Sequence, residues 1–327
     1  MEDVLVKINL LYGIRISTYE KVTRGFLSEN YFLSDSKNKF FLKKYRFDDS
    51  NRINEIHAAK SFFCNGGIPV ILPLPLLDGT TYFECHSAYY ALFPFIEGRH
   101  LERGELTEAA IVSLGQMLGK IHLLGKESKL AIGERFKVEN KEKVLKKIDD
   151  ILLRISEVHQ HSDFDKVALE NVQLKKELLL KNESTFESLG FECDHLIHGD
   201  YLDSNVFFDE NDHVKWVFDF EKTNYSPRAF ELFRSMFLCI WGGDIARMHL
   251  DKMKKYIEAY SSVYPISNDE IRRGLQLSFV KAIHGFWVEG EHYLKGNTRV
   301  DQFLFEDYKR IKYFSKDFDE MVAVLTN

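Results

Sequence analysis

Cysteine is scarce in this chain: four among 327 residues, Cys64, Cys85, Cys193 and Cys239, with no CxxC pair. That spacing argues against a disulfide-stapled scaffold or a structural zinc site, and for buried free thiols in a reducing cytoplasm. No apolar run approaches the length of a membrane span, so no membrane partner is expected. Lys7 interrupts the N-terminal apolar stretch where a signal peptide would need its core, and a cytoplasmic location follows as the expectation. An excess of basic charge is also missing. The net charge is −6 and the lysines and arginines are dispersed, which argues against nucleic acid as an obligate partner. Neither HExxH nor a paired-histidine spacing occurs, which disfavours metal-hydrolase chemistry. Internal repeats and low-complexity tracts are absent too. The apolar and charged fractions are ordinary for a globular chain long enough to bury a large core, or two lobes that share one.

What is present concentrates in residues 195–221, HLIHGDYLDSNVFFDENDHVKWVFDFE. His198-Gly199-Asp200 follows the apolar pair Leu196-Ile197, Asn205 comes after four intervening residues, and Asp219-Phe220-Glu221 ends the run Trp216-Val217-Phe218. Asp209-Glu210-Asn211-Asp212 is turn chemistry, so the segment reads as a loop, a hairpin and a second loop. Short strands would then bring three oxygen-bearing side chains to one place. Phosphoryl transfer asks for little more: one carboxylate to orient the attacking hydroxyl, and an amide plus a second carboxylate to hold magnesium against the phosphates. Protein kinases place the corresponding Asp and Asn at the same spacing, with a metal-binding Asp about a strand later.

His-Gly-Asp-x4-Asn followed by Asp-Phe-Glu resembles the aminoglycoside phosphotransferase and choline kinase superfamily, the small-molecule relatives of protein kinases. The resemblance implies Asp200 as catalytic base, Asn205 and Asp219 as magnesium ligands, and Asp203 and Glu221 as candidates for a substrate or second-metal contact. It implies a bracing role for His198. Gly199 stands where protein kinases carry the arginine that reads a phosphorylated activation loop, so switching by that route is not expected.

The first hundred residues read as a β-rich lobe. Tyr31-Phe32-Leu33 and residues 39–45, joined by a polar turn, make a hairpin. The loop before it carries one glycine rather than a glycine-rich series; the resemblance implies that it covers the nucleotide, with Ser28 and Asn30 as its polar groups. The resemblance also implies Lys43 as the lysine on the nucleotide's inner phosphates, oriented by Glu55. Strand alternation turns only one of Lys43 and Lys44 inward. Ile53, Ile56, Ala59 and Phe63 line one face of a helix over 49–65, and Glu55 lies off that stripe. Residues 89–96 read as a buried strand; the resemblance implies that it runs into the hinge between lobes, with Phe93 and Phe95 in the adenine-contact segment, where Pro94 cannot donate a hydrogen bond.

The remainder reads as helices. Thr107 caps one carrying Ile111, Leu114, Leu118 and Ile121, with His122 as a packed core residue. Two amphipathic helices fill 137–182, joined by a polar break at 159–163, and further helices span 229–241, 250–264, 268–294 and 302–325. Residues 286–293 combine aromatics with acids, and Trp287, Glu289 and Glu291 are candidate substrate contacts through cation–π or charge. The expectation is therefore an α+β, two-lobed, protein-kinase-like fold. Residues 1–96 would form a nucleotide-binding lobe and 97–327 a catalytic and substrate-binding lobe. The expected chemistry is transfer of a phosphoryl group from ATP (or GTP) with Mg2+ to a small-molecule hydroxyl, the acceptor being cationic. A protein substrate and a non-catalytic nucleotide-binding module are the rival readings, and the oligomeric state stays open.

Overall fold

A computed structural model describes residues 1–22, 29–101, 104–133, 136–240 and 249–327. After helix α1 (Glu2–Tyr12) the chain enters a five-stranded antiparallel sheet of β1 (Thr18–Lys21), β2 (Asn30–Ser34), β3 (Lys39–Lys44), β4 (Phe83–Cys85) and β5 (Ala88–Pro94), ordered β1-β2-β3-β5-β4. The β2–β3 hairpin turns on Asp35, whose carboxylate accepts the amides of Lys37 and Asn38 at 2.7 and 2.6 Å. Register then sorts the side chains. Asn30 opposes Lys43, Phe32 opposes Phe41, Lys43 opposes Ala91 and Phe41 opposes Phe93, so these residues share one face. Leu33, Phe40, Leu42 and Leu92 occupy the other, where they bury against Val4 and Ile8 of α1 in a core of their own.

Helix α2 (Ser50–Asn65) starts at Asp49, whose side chain accepts the amides of Asn51 and Arg52. Its stripe of Ile53, Ile56, Ala59 and Phe63 is buried. Each large aliphatic there contributes about 1.5–3 kcal/mol, and together they tie the sheet to the main core, which continues into the helical part. That part is built on α3 (Glu108–Lys126), capped by Thr107. α4 (Lys141–Ser156) and α5 (Asp163–Lys181) follow, then strands β6 (His195–Ile197), β7 (Val206–Phe208), β8 (Val214–Val217) and β9 (Asn224–Ser226). The chain ends with α6 (Arg228–Ile240), α7 (Leu250–Ser261), α8 (Asn268–His284), the one-turn α9 (Trp287–Glu289) and α10 (Leu304–Thr326). β6 pairs with β9 and β7 with β8, so the short strands make two separate ribbons that hold the loops between them. Gly115 lets α3 lie close on α7: a Cβ there would sit 2.5 Å from the Tyr256 carbonyl oxygen. None of the helices among the described residues is long and apolar enough to cross a membrane, and all four cysteines are free.

One expected helix is broken. The span 268–294 stops at His284, because Gly285 is extended (φ −88°, ψ 115°) and the chain resumes as α9 followed by a π-turn over Gly290–Leu294. The buried Lys175 of α5 accounts for it. Its ammonium takes the Gly285 carbonyl at 2.6 Å and lies 4.9 Å from the ring of Phe286, which is turned inward. A desolvated cation secures its partners at the expense of helical continuity.

Four histidines, His57, His195, His198 and His284, couple folding to pH. Burial holds His195 down to about 4 against the pull of Asp194, and burial lowers His57 to about 3. Below the ordinary imidazole value the unfolded chain binds protons that the folded chain refuses, so the histidine contribution to stability is full above about pH 6.5 and declines as pH falls toward 4. Urea unfolding should show a loss on the order of 2 kcal/mol for each of His57 and His195 between about pH 7 and about pH 5. Depressed carboxylates act only at lower pH, so a flat profile across this window would contradict the assignment.

Candidate active site

β6 delivers the chain to His198-Gly199-Asp200. His198 is fully buried; its Nε2–H donates to the Phe218 carbonyl at 2.8 Å, and its Nδ1 accepts the Asp200 amide at 3.2 Å. Burial lowers its pKa, which suits the neutral imidazole that these two bonds require. His198 therefore ties the Asp200 loop to the residue preceding Asp219. Gly199 adopts φ 86°, and a Cβ on it would fall 2.0 Å from the Lys222 carbonyl oxygen, so only glycine fits between the two loops. Beneath them the buried Glu231 of α6 accepts the amides of His198 (3.0 Å) and Gly199, and pairs with His122 at 3.0 Å. Burial pushes the Glu231 carboxyl up, yet these partners hold it below its usual range.

Asp200 lies between two cations, Arg234 at 2.6 Å and Lys222 at 2.9 Å. Burial works against its ionisation, but Arg234 and Lys222 outweigh it and keep the carboxyl below the ordinary range. Asn205 donates its side-chain amide to the Asp200 carbonyl at 2.8 Å, which leaves its Oδ1 as the outward oxygen. Its own carbonyl accepts the Phe218 amide at 3.0 Å. Asp219 follows in the left-handed region, φ 62° and ψ 61°, a conformation unusual for a residue other than glycine or asparagine. Asp200, Asn205 and Asp219 thus belong to one hydrogen-bonded unit.

Lys43 reaches that unit from the sheet. Its ammonium pairs with Asp219 at 2.7 Å and with Glu221 at 2.8 Å. Burial opposes its charge, and the two carboxylates raise its pKa above the ordinary lysine value; Lys43 in turn draws Asp219 down to about 2 despite burial. The expected pairing with Glu55 is not made: Glu55 accepts from Arg52 at 2.7 Å. Arg52 also reaches the carbonyls of Glu221 and Thr223 at 2.7 and 2.6 Å, so the helix supplies a guanidinium that braces the loop, and the loop supplies the lysine's carboxylate. Glu221, expected at a second metal or substrate, is instead buried between Lys43 and Arg46.

Asn30 shares the Lys43 face, and its Oδ1 is buried without a hydrogen-bond partner among the described residues. Phe93 is buried with Lys60 Nζ 4.6 Å from its ring centre. The Phe95 amide is already given to the Lys39 carbonyl at 3.2 Å, so a hinge donor has to come from a later amide such as that of Ile96. Ser28 lies outside the described residues. Asp203 is buried, with its amide on the Cys239 sulfur at 3.3 Å. Glu289 does not face a cleft. It is buried against Asn171 at 2.8 Å, and burial raises its pKa. Glu291 is bonded to Lys295 at 2.6 Å, while Trp287 is 52% exposed. Lys222, Arg234, Glu231, Arg46 and Arg52 escaped the sequence reading. Only Lys222 carries a signal, its place directly after Asp-Phe-Glu; the others come from helices or loops whose approach is set by packing.

A sheet lobe presenting a buried lysine to a loop-borne Asp/Asn/Asp unit on a helical lobe defines a kinase-like phosphotransferase. The sequence profile of the phosphotransferase enzyme family (APH) matches residues 18–265, well over half of the chain. The chain belongs to that family and is a phosphotransferase with an alcohol group of a small molecule as acceptor. No curated protein sequence matches it. Among solved structures it is similar to a spectinomycin phosphotransferase in complex with ADP and spectinomycin (17% identity, TM-score 0.63, covering 99% of this chain and 97% of that one). It is similar to an amicoumacin kinase in complex with AMP-PNP and Ca2+ (16%, 0.60, 95% and 92%). A microcompartment-associated aminopropanol kinase also shares the fold (13%, 0.66, 100% and 99%).

Proposed function

We propose that the chain moves the terminal phosphoryl group of ATP (or GTP), with Mg2+, to a hydroxyl of a small molecule. Residues 1–96 act as the nucleotide lobe and 97–327 as the catalytic and acceptor lobe. The observation that carries the reading is the linkage of Asp200, Asn205 and Asp219 in one unit facing Lys43. The donor set fits a hard cation: Asn205 has one free oxygen because its nitrogen is tied to Asp200, and Asp219 is ionised. No group of three or more His, Cys, Asp or Glu placed to hold a metal ion occurs among the described residues, so protein carboxylates alone would not complete the site. Phosphate oxygens would complete it, as is usual where magnesium is held with a nucleotide. The bound metal–nucleotide supplies the phosphoryl group and neutralises its charge.

The chain's own residues do the rest. Lys43, released in part from Asp219, holds inner phosphate oxygens while Glu221 keeps it aimed. The orphaned Asn30 oxygen beside it is a hydrogen-bond acceptor for the nucleotide. Asp200 accepts the acceptor's hydroxyl proton and orients that oxygen. Its lowered pKa suits orientation more than early proton removal, which a loose phosphoryl-transfer transition state does not need. Lys222 and Arg234 keep the carboxylate ionised and fixed in direction.

The expected cationic acceptor rested on the net negative charge and the acids of the C-terminal lobe, with Glu289, Glu291 and Trp287 as candidate contacts. Glu289 is turned into the core and Glu291 is neutralised by Lys295, so only Trp287 of the three remains available. Turnover measured with Mg-ATP and Mg-GTP across amino alcohols, aminoglycosides, sugars and protein hydroxyls tests the reading. Phosphorylation of small hydroxylic acceptors alone is expected; labelling confined to protein hydroxyls would overturn it.

A further inference from the structure

A cleft of about 370 Å³ opens between the start of α4, the end of α8 and the segment 285–295, within the size range of small-molecule sites. Lys147, Lys281, Lys295, Glu139 and Glu291 supply its charge. Lys295 and Glu291 cancel each other at 2.6 Å, and Glu291 is further occupied by Asn297 at 2.8 Å. Neither Lys147 nor Lys281 has a carboxylate within 4.0 Å among the described residues; Glu139 acts on Lys281 from farther away, and Glu291, already held by Lys295 and Asn297, acts on Lys147 from farther away. Among the described residues the Lys281 ammonium meets the Lys137 carbonyl at 2.5 Å and the rings of Phe136 and Phe230, at 5.1 and 5.8 Å. Burial lowers its pKa, the mark of a cation short of countercharge. Gly290 keeps Lys147 uncovered, since a Cβ there would lie 3.4 Å from its ammonium.

Other groups on the wall suit a hydroxylated ring. His284 donates its Nδ1–H to the Val280 carbonyl at 2.7 Å and burial keeps it neutral, so its Nε2 is an acceptor for a hydroxyl. The half-exposed Trp287 offers an apolar face. Helix α6 links the wall of the cleft to the reaction site. Phe230, which packs on Lys281, and Arg234, which holds Asp200, are four residues apart on the same face of α6, about 6 Å along its axis.

We propose that this cleft is the acceptor subsite and that Lys147 and Lys281 select a hydroxylated small molecule carrying an anionic group, a carboxylate or a phosphate. The proposal rests on the kinase reading above. Calorimetric titration of the full chain, saturated with Mg-AMP-PNP, with glucosamine, glucose, glucuronate and glucose 6-phosphate compares a cation, a neutral ring and two anions of one shape. An anionic member should bind at least about tenfold more tightly than glucosamine, the size of one charge-assisted hydrogen bond; glucuronate and glucose 6-phosphate separate carboxylate from phosphate recognition. Lys147→Met and Lys281→Met should each erase most of that preference while Mg-AMP-PNP affinity stays within twofold, and Lys147→Met alone decides if the Lys281 variant does not fold. Equal binding, tighter glucosamine binding, no binding of any of the four, or an unchanged preference in the variants overturns the proposal. Failure of Mg-AMP-PNP itself to bind the wild type would instead count against the kinase reading.

Discussion

Asp200→Asn should lower kcat by about 10³-fold, within the range expected when a positioned acid–base group is removed, and leave the affinity for Mg-nucleotide nearly unchanged. The separation follows from the geometry. The Asp200 side chain touches Lys222 and Arg234, whereas the link to Asn205 runs through the Asp200 backbone carbonyl, which the substitution keeps. An isosteric amide retains the shape but turns one acceptor oxygen into a donor that confronts two cations. Side-by-side measurement of turnover and of nucleotide binding by calorimetry checks both halves. A variant with wild-type kcat would remove Asp200 from the reaction, and one that lost nucleotide binding in proportion would show that the loop had moved.

Asp219→Ala should be at least as damaging to the rate and should fail differently. Losing a metal ligand and its charge stabilisation costs several kcal/mol in the transition state, about 10³-fold or more. The magnesium concentration needed for half-maximal rate should rise in parallel. The fold should persist, because Lys43 keeps Glu221 at 2.8 Å when Asp219 is gone, so its buried charge is not abandoned. Magnesium titrations of turnover, with thermal melts as a control for folding, test this. An Asp219→Ala enzyme with an unaltered magnesium dependence would break the assignment of Asn205 and Asp219 as the metal-holding pair.

Much of this arrangement was legible along the chain because its determinants are local. The alternation in β3 sets Lys43 and Lys44 on opposite faces, and the structure sends Lys43 to Asp219 while Lys44 reaches the exposed Glu29 at 2.6 Å. The stripe of α2, the Thr107 cap and the polar break before α5 are likewise short-range patterns, and the helices lie where those patterns put them. The spacing between Asp200 and Asn205 works the same way, since one short loop and a 3-10 turn suffice to bond one residue to the other.

Other features depended on contacts between segments far apart in the chain. The family resemblance paired Glu55 with Lys43 and left Glu221 for a substrate or a second metal. The buried guanidinium of Arg52 decided between them by engaging Glu55 and drawing the loop carbonyls of Glu221 and Thr223 to itself. The continuous helix expected over 268–294 gave way at Gly285 because Lys175, more than a hundred residues earlier, required that carbonyl. Glu289 faced inward for the same reason, as part of the polar cluster around Lys175 and Asn171.

By itself the sequence determined the class of chemistry, the two kinds of lobe and the loop that carries Asp200, Asn205 and Asp219, since each follows from residues within a few positions of one another. Only the tertiary structure decided which carboxylate holds the lysine, which cations flank Asp200 and what charge the cleft between α4 and α8 presents. A buried charge takes whichever partner the packing brings within about 3 Å, and chain periodicity carries no information about which partner that will be.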